Sequence, residues 1–273
     1  MSENINAIKL LLSGLALIFV TVSQAEVRRF DVVSVESPAF DGRTFGDVGQ
    51  YQKITAKVTI AIDPDHELNQ DIVDLDIAPG SADGLVEAVA DVVILLPVDL
   101  AKGSGRIFYE VLNRGDKISF IMMNDAPWTG YYAGLDVANG HLMNEGYTVV
   151  WSGWQGDLPP GKNRMTLNVP VLKGVTGLVR DEIVFNHDYN PFVATLSYPA
   201  ATLDTNKATL TVRARQTDPR VTPDDLKFEF FTAARAGIEP YTNEQIVIHR
   251  PAGFDANAIY EFTYEARDPI VMG

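Results

Sequence analysis

Polar and apolar residues alternate along much of this chain with the period of two that a half-buried strand imposes. Ile54, Ala56, Val58, Ile60 and Ile62 fall on one face of their stretch, and Phe30–Val35 alternates more loosely, so 26–62 reads as strands. Between them DGRTFGDVGQY is Gly-rich and turn-forming. Elsewhere the alternation gives way to continuous apolar runs. Val92–Leu96 extends a run begun by Val86, Ala88 and Ala90 and ends at Pro97. RIFYEVL at 106–112 and Tyr147–Trp151 are runs of the kind a strand buried on both faces requires. Asp83-Gly84 is a hairpin-turn signal and predicts that 72–79 and 85–97 pair as antiparallel strands. Ile118–Tyr132, with Pro127 and Gly130, reads as an irregular loop or short helix. Asp136–Glu145 reads as a helix with Gly146 as its stop.

Strand, loop, helix and strand over 106–151 make one crossover unit of a parallel sheet. From Leu158 to about Tyr264 the character changes to short β-rich segments between Pro, Gly and Asn/Asp turns: MTLNVPVL, ATLSYP, ATLTVRAR, KFEFFT, QIVIHRPAGF and IYEFTYEA. Thr209, Thr211, Arg213 and Arg215 alternate there with Leu210, Val212 and Ala214, as in a half-buried antiparallel strand. The expected fold class is α/β. Antiparallel entry strands and the crossover occupy 26–157, a β-rich insertion occupies 158–264, and 265–273 begins the return to the core of an incomplete domain.

Charge and composition narrow the function. A net charge of −14 without a basic stripe argues against nucleic acid and against an anionic membrane surface. The absence of cysteine excludes disulfides, thiolate catalysis and Cys-ligated metals. The first 25 residues read as an export signal: Lys9 in the n-region, weakened by Glu3, then apolar Leu10–Val22, then Ser23-Gln24-Ala25 with cleavage after Ala25. The mature chain is then periplasmic or secreted and free of the membrane. An uncleaved anchor is the competing reading, although the run falls short of the ~20 apolar residues of a comfortable span.

VGQY at 48–51, DLDIAPGSADGLVEAVADVVILLPVD at 74–99, YEVLNRG at 109–115, GYTVVWSGWQGD at 146–157 and YEARDP at 264–269 together carry a resemblance. The chain resembles the exported α/β-hydrolase domain-containing proteins of bacteria over nearly all of its mature length. The resemblance implies the N-terminal part of an α/β-hydrolase sheet and a serine hydrolase acting on an ester or similar acyl bond through a Ser–His–acid triad, with no cofactor. It also implies a nucleophile elbow beyond YEARDP in a G-x-S-x-S-G-R-like motif. That elbow is not in the chain: Gly103-Ser104-Gly105 and Ser152-Gly153 are wrongly spaced for it. The expectation is an N-terminal portion that is inactive alone. The alternative is a non-catalytic periplasmic β-rich binding or interaction module.

Two loops hold the candidate site residues. By resemblance, Asn113, Arg114, Gly115 and Asp116 occupy the place of an oxyanion-hole loop, with Gly115 and the Asp116 amide as donors. The alternative is a tight turn with Arg114 paired to an acid. Trp154, Gln155, Gly156 and Asp157 can wall a substrate pocket, or Trp154 can be a core anchor and Asp157 a turn cap. Trp151, inside its strand, reads as core. No metal is expected. The acidic run Asp63, Asp65, Glu67, Asp71, Asp74 and Asp76 lacks EF-hand spacing and reads as a solvated turn. His66, His141, His187 and His249 read as surface or satisfied residues, and Arg213 with Arg215 as a solvated sheet face rather than an anion site.

Overall fold

A computed structural model describes residues 24–127, 136–158, 164–185, 189–232 and 244–271. Nearly all of the expected signal segment 1–25 therefore lies outside the described residues, as does His187. Seven strands form a mixed sheet: β1 (Ala25–Glu36), β2 (Thr44–Phe45), β3 (Gly49–Ile62), β4 (Val86–Pro97), β5 (Ile107–Val111), β6 (Thr148–Ser152) and β7 (Leu167–Asn168). Their order is β1-β3-β4-β6-β5, with β2 beside β3 and β7 beside β4. Every neighbouring pair is antiparallel except β5 and β6, which run parallel from Ile107↔Thr148 to Val111↔Ser152. A parallel pair needs a long connection, and here it contains α1 (Ser119–Met123) and α2 (His141–Asn144).

The α/β expectation is overturned. Among the described residues these two short helices are the only α-helices, and the protein is β-rich with mixed and antiparallel sheets. The expected helix 136–145 shrinks to His141–Asn144 because Asp and Asn side chains tie the preceding backbone into turns. Asp136 Oδ1 accepts from Ala138 N–H and Asn139 Oδ1 from His141 N–H, each at 2.9 Å. The apolar run of β4 does not require helices on both faces either. Val86, Ala88 and Ala90 are buried on one side of the sheet, Val93 and Leu95 on the other. The first set lies where Leu75, Val169, Leu172, Ile270 and Val271 cover the sheet. The second joins Phe45, Tyr51, Met143, Val149 and Trp151 in the main core. One strand thus serves two opposite cores.

The expected hairpin of 72–79 with 85–97 is also corrected. Residues 72–79 form turns, and the antiparallel partner of β4 is β3, from Ile62↔Val86 to Tyr51↔Pro97. Asp83-Gly84 does turn the chain, with Ser81 N–H donating to Leu85 O at 2.8 Å, but it joins no pair of strands, and Arg28 of β1 holds Ser81 and Asp83.

The remaining strands are β8 (Thr176–Val184), β9 (Phe192–Thr195), β10 (Thr209–Arg213), β11 (Lys227–Thr232), β12 (Glu244–His249) and β13 (Ile259–Arg267). They form two three-stranded antiparallel sheets, β10-β13-β8 and β11-β12-β9, around a shared core that includes Phe185, Leu210, Ile248, Tyr260 and Phe262. Strand β8 was not among the expected segments, and β13 runs through the expected boundary at 264. Leu210 and Val212 point inward as their alternation predicts. Arg213 does not lie on a solvated face: it is buried and donates to Glu261 Oε1 at 2.9 Å. After β13 the chain returns to the first sheet through Ile270 and Val271.

Candidate functional site

Strands β5 and β6 end side by side, so the loops that follow them meet although they lie about forty residues apart in the chain. The Trp154 indole N–H donates to Leu112 O at 2.9 Å, and Arg114 Nη2 lies 3.7 Å from Asp157 Oδ2. Residues 113–116 close a tight turn in which Asn113 N–H donates to Asp116 O at 3.2 Å and Asp116 N–H to Asn113 O at 3.1 Å. Gly115 sits at φ +84°, and a Cβ there would lie 2.6 Å from Met165 O, so the turn tolerates only glycine at its crest. Met165 N–H donates back to Gly115 O at 2.9 Å. The Asp116 amide, one of the two expected oxyanion donors, is thus engaged within the turn.

The second loop is strapped down from the other side. Gly153 lies so close to the backbone of Thr166 that a Cβ would be 2.1 Å from its carbonyl oxygen. The Asp91 carboxylate accepts from Thr166 N–H at 3.0 Å, and Leu167 N–H donates to Gln155 O at 3.0 Å. The loop therefore leaves β6 in a fixed direction and walls a cavity of about 270 Å³ with Trp154, Gln155, Gly156 and Asp157. Leu167, Val169, Tyr198, Ile270 and Val271 supply the rest of its lining. Trp154 and Asp157 are exposed, whereas Trp151 is fully buried, as its place in a strand predicts. Gln155 Oε1 is buried without a hydrogen-bond partner among the described residues. Burial pushes the Tyr198 phenol up, and the carboxylates of Asp157 and Asp74 push it further. Tyr198 and the Ile270-Val271 pair were not singled out in the sequence. No local pattern marks them, because they reach the cavity only through the folding of the second and third sheets.

Beneath the site Glu110 is a buried carboxylate. It accepts from Ile118 N–H at 2.6 Å, from Ser119 N–H at 3.0 Å and from the Trp151 indole, locking the start of α1 to β6. Nearby, burial pushes the Lys117 ammonium down, opposed by the charges of Glu110, Asp116 and Asp91.

The other candidates stay apart from this place. His66 Nδ1 accepts from Leu68 N–H at 3.2 Å, and His249 Nε2 lies 3.5 Å from Glu229. No group of three or more His, Asp or Glu side chains among the described residues is arranged to hold a metal. A second cavity, about 430 Å³, lies along β8 and β9, and its polar groups are engaged with one another, as in Ser197 Oγ to Asp181 Oδ1 at 2.6 Å. No helix of the described residues is long and apolar enough to cross a membrane. Comparison with protein families, with curated proteins and with solved structures yields no match. The fold and the site define a β-rich protein with a small ligand-sized cavity at the end of one parallel strand pair.

Proposed function

We propose that this chain forms the substrate-pocket portion of an exported hydrolase of ester or similar acyl bonds. It is inactive by itself because no serine in it occupies a nucleophile elbow, and the acid and histidine of a triad are likewise supplied from elsewhere. The supporting observation is that the two segments carrying the resemblance, YEVLNRG and GYTVVWSGWQGD, end in loops that touch each other, and the second of these walls a cavity. Binding sites built this way combine an apolar lining with a few convergent polar groups. The reading rests on the sequence resemblance alone, since the described residues form mixed and antiparallel sheets rather than an α/β layer.

A non-catalytic binding module is the second reading. The commitment of the Asp116 amide to Asn113 favours it, since an oxyanion donor must be available to the reacting oxygen. One assay separates the readings from a third. Purified residues 26–273 should leave p-nitrophenyl acetate unhydrolysed above a heat-killed control, while a small ligand that binds raises the melting temperature further with each increase in its concentration above its Kd. Turnover by the chain itself defeats both readings. A phosphonate ester analogue that stabilises more than its carboxylate counterpart favours the hydrolase portion, and the reverse order favours the binding module.

A further inference from the structure

The cavity beside Trp154 has a polarity that its position alone does not explain. Its polar lining holds two side-chain acceptors, Gln155 Oε1 and Asp157, beside the Tyr198 hydroxyl. Gln155 Oε1 is buried and unpartnered among the described residues, and the Asp157 carboxylate stands at the rim with about half of its side chain exposed, 48%. A buried acceptor left without a donor costs free energy that a ligand donor recovers. Next to them the exposed Trp154 indole has its N–H committed to Leu112 O, which leaves the ring face as what it can offer a ligand. Arg114 reaches Asp157 only at 3.7 Å, with 59% of its own side chain exposed. A solvent-screened pair of that kind is weak and readily shared. The two charges that bear on Tyr198 across the cavity, Asp157 and Asp74, are both negative. Opposite the acceptors the wall is aliphatic: Leu167, Val169, Ile270 and Val271.

From this arrangement we propose that the cavity binds a small alkylammonium group, its N–H donors directed to Asp157 and Gln155, its charge against the Trp154 ring and its alkyl body on the aliphatic wall. An ammonium satisfies all three features together: it donates to a carboxylate and to an amide oxygen, and a cation is attracted to an indole face. Gln155 Oε1 lies just beneath the cavity surface, and a shift of the Gln155 side chain towards the cavity brings it to the ligand. A volume of about 270 Å³ restricts the occupant to a small molecule or one end of a larger one. The inference rests on the pocket reading given above and deepens it by naming the charge of the group recognised. A carboxylate in the same place faces the like charge of Asp157.

The test uses three probes with one carbon skeleton: butylammonium, 1-butanol and butyrate. Binding is followed on the Trp154 indole N–H signal in ¹⁵N spectra, identified among the three tryptophans by its loss in Trp154→Phe. Butylammonium should bind about tenfold more tightly than either of the others, the gain expected of a charge-assisted contact. Asp157→Asn should remove most of that preference, and Gln155→Leu should weaken the amine without reversing the order. Equal or tighter binding of the alcohol or the carboxylate overturns the proposal, as does a preference unchanged in a folded Asp157→Asn. If that variant loses spectral dispersion, the salt dependence decides. A preference that shrinks with added salt supports a carboxylate contact, and one indifferent to salt rejects it. Failure of all three probes to bind rejects the pocket itself, whereas binding without charge preference rejects only the ammonium.

Discussion

Glu110 is the residue on which the site's foundation depends. Its carboxylate holds two backbone amides and an indole at once, at a side chain only 7% exposed. A buried polar cluster of this kind is stable only when complete. Glu110→Leu strands the Ile118 and Ser119 amides in the core, leaves the Trp151 indole only its longer contact to Ser119 Oγ, and should cost about 3 kcal/mol, read from urea unfolding. Glu110→Gln, which keeps one acceptor oxygen, should cost less. A loss below about 1 kcal/mol in the leucine variant contradicts the assigned role. In the sequence Glu110 is simply the one carboxylate in the run RIFYEVL. Such a charge signals that a partner must exist, but its donors come from residues 118, 119 and 151, which only the fold brings together.

At the scale of elements, β5 is the outermost strand of the mixed sheet, and Ile107 (69%), Tyr109 (51%) and Val111 (68%) are exposed on it. A row of apolar side chains crosses the sheet behind them, Tyr109–Val150–Ile94–Ile54 in register. Long apolar edges of this type template pairing between chains, and lysine at the edge blocks it. Ile107→Lys with Val111→Lys should suppress aggregation measured by light scattering on warming, with stability changed by no more than about 0.5 kcal/mol per site. Aggregation at the original rate rejects the edge as its cause. The run RIFYEVL was legible as a strand because β-branched and aromatic residues fit a pleated surface. What covers such a strand was not legible. The same continuous run suits a strand between helix layers and one such as β4, which changes its buried face midway.

At the scale of the whole molecule, stability is tied to acid pH through carboxylates held by arginines. Arg220, donating to Glu261 at 2.7 and 2.9 Å, lowers the carboxyl below its usual range, and the charges of Arg213 and Arg180 add to this. Ser81 and Arg28 likewise bring Asp83 down to about 2. Groups depressed in the folded state contribute stability above their unfolded values and lose it as pH falls through the folded ones. The urea midpoint should therefore hold near neutral pH and fall from about pH 4 towards about pH 2. Glu261→Gln should lose about 3–5 kcal/mol at pH 7, because three arginines remain without their buried partner, and should flatten the acid limb. A midpoint unchanged on acidification in the native protein contradicts this account. By itself the sequence marked most of the strands, since side-chain alternation is a local property of the strand backbone, though it missed β8 and placed a strand at 72–79 where the chain turns. It also marked two loops rich in glycine, indole and amide groups as the place to look. Only the tertiary structure decided that the strands form one mixed and two antiparallel sheets rather than an α/β layer. Strand pairing and face coverage are set by contacts between residues far apart in the chain, and local periodicity is blind to those. The same long-range packing brought Tyr198, Ile270 and Val271 to the second loop and so closed a cavity against it.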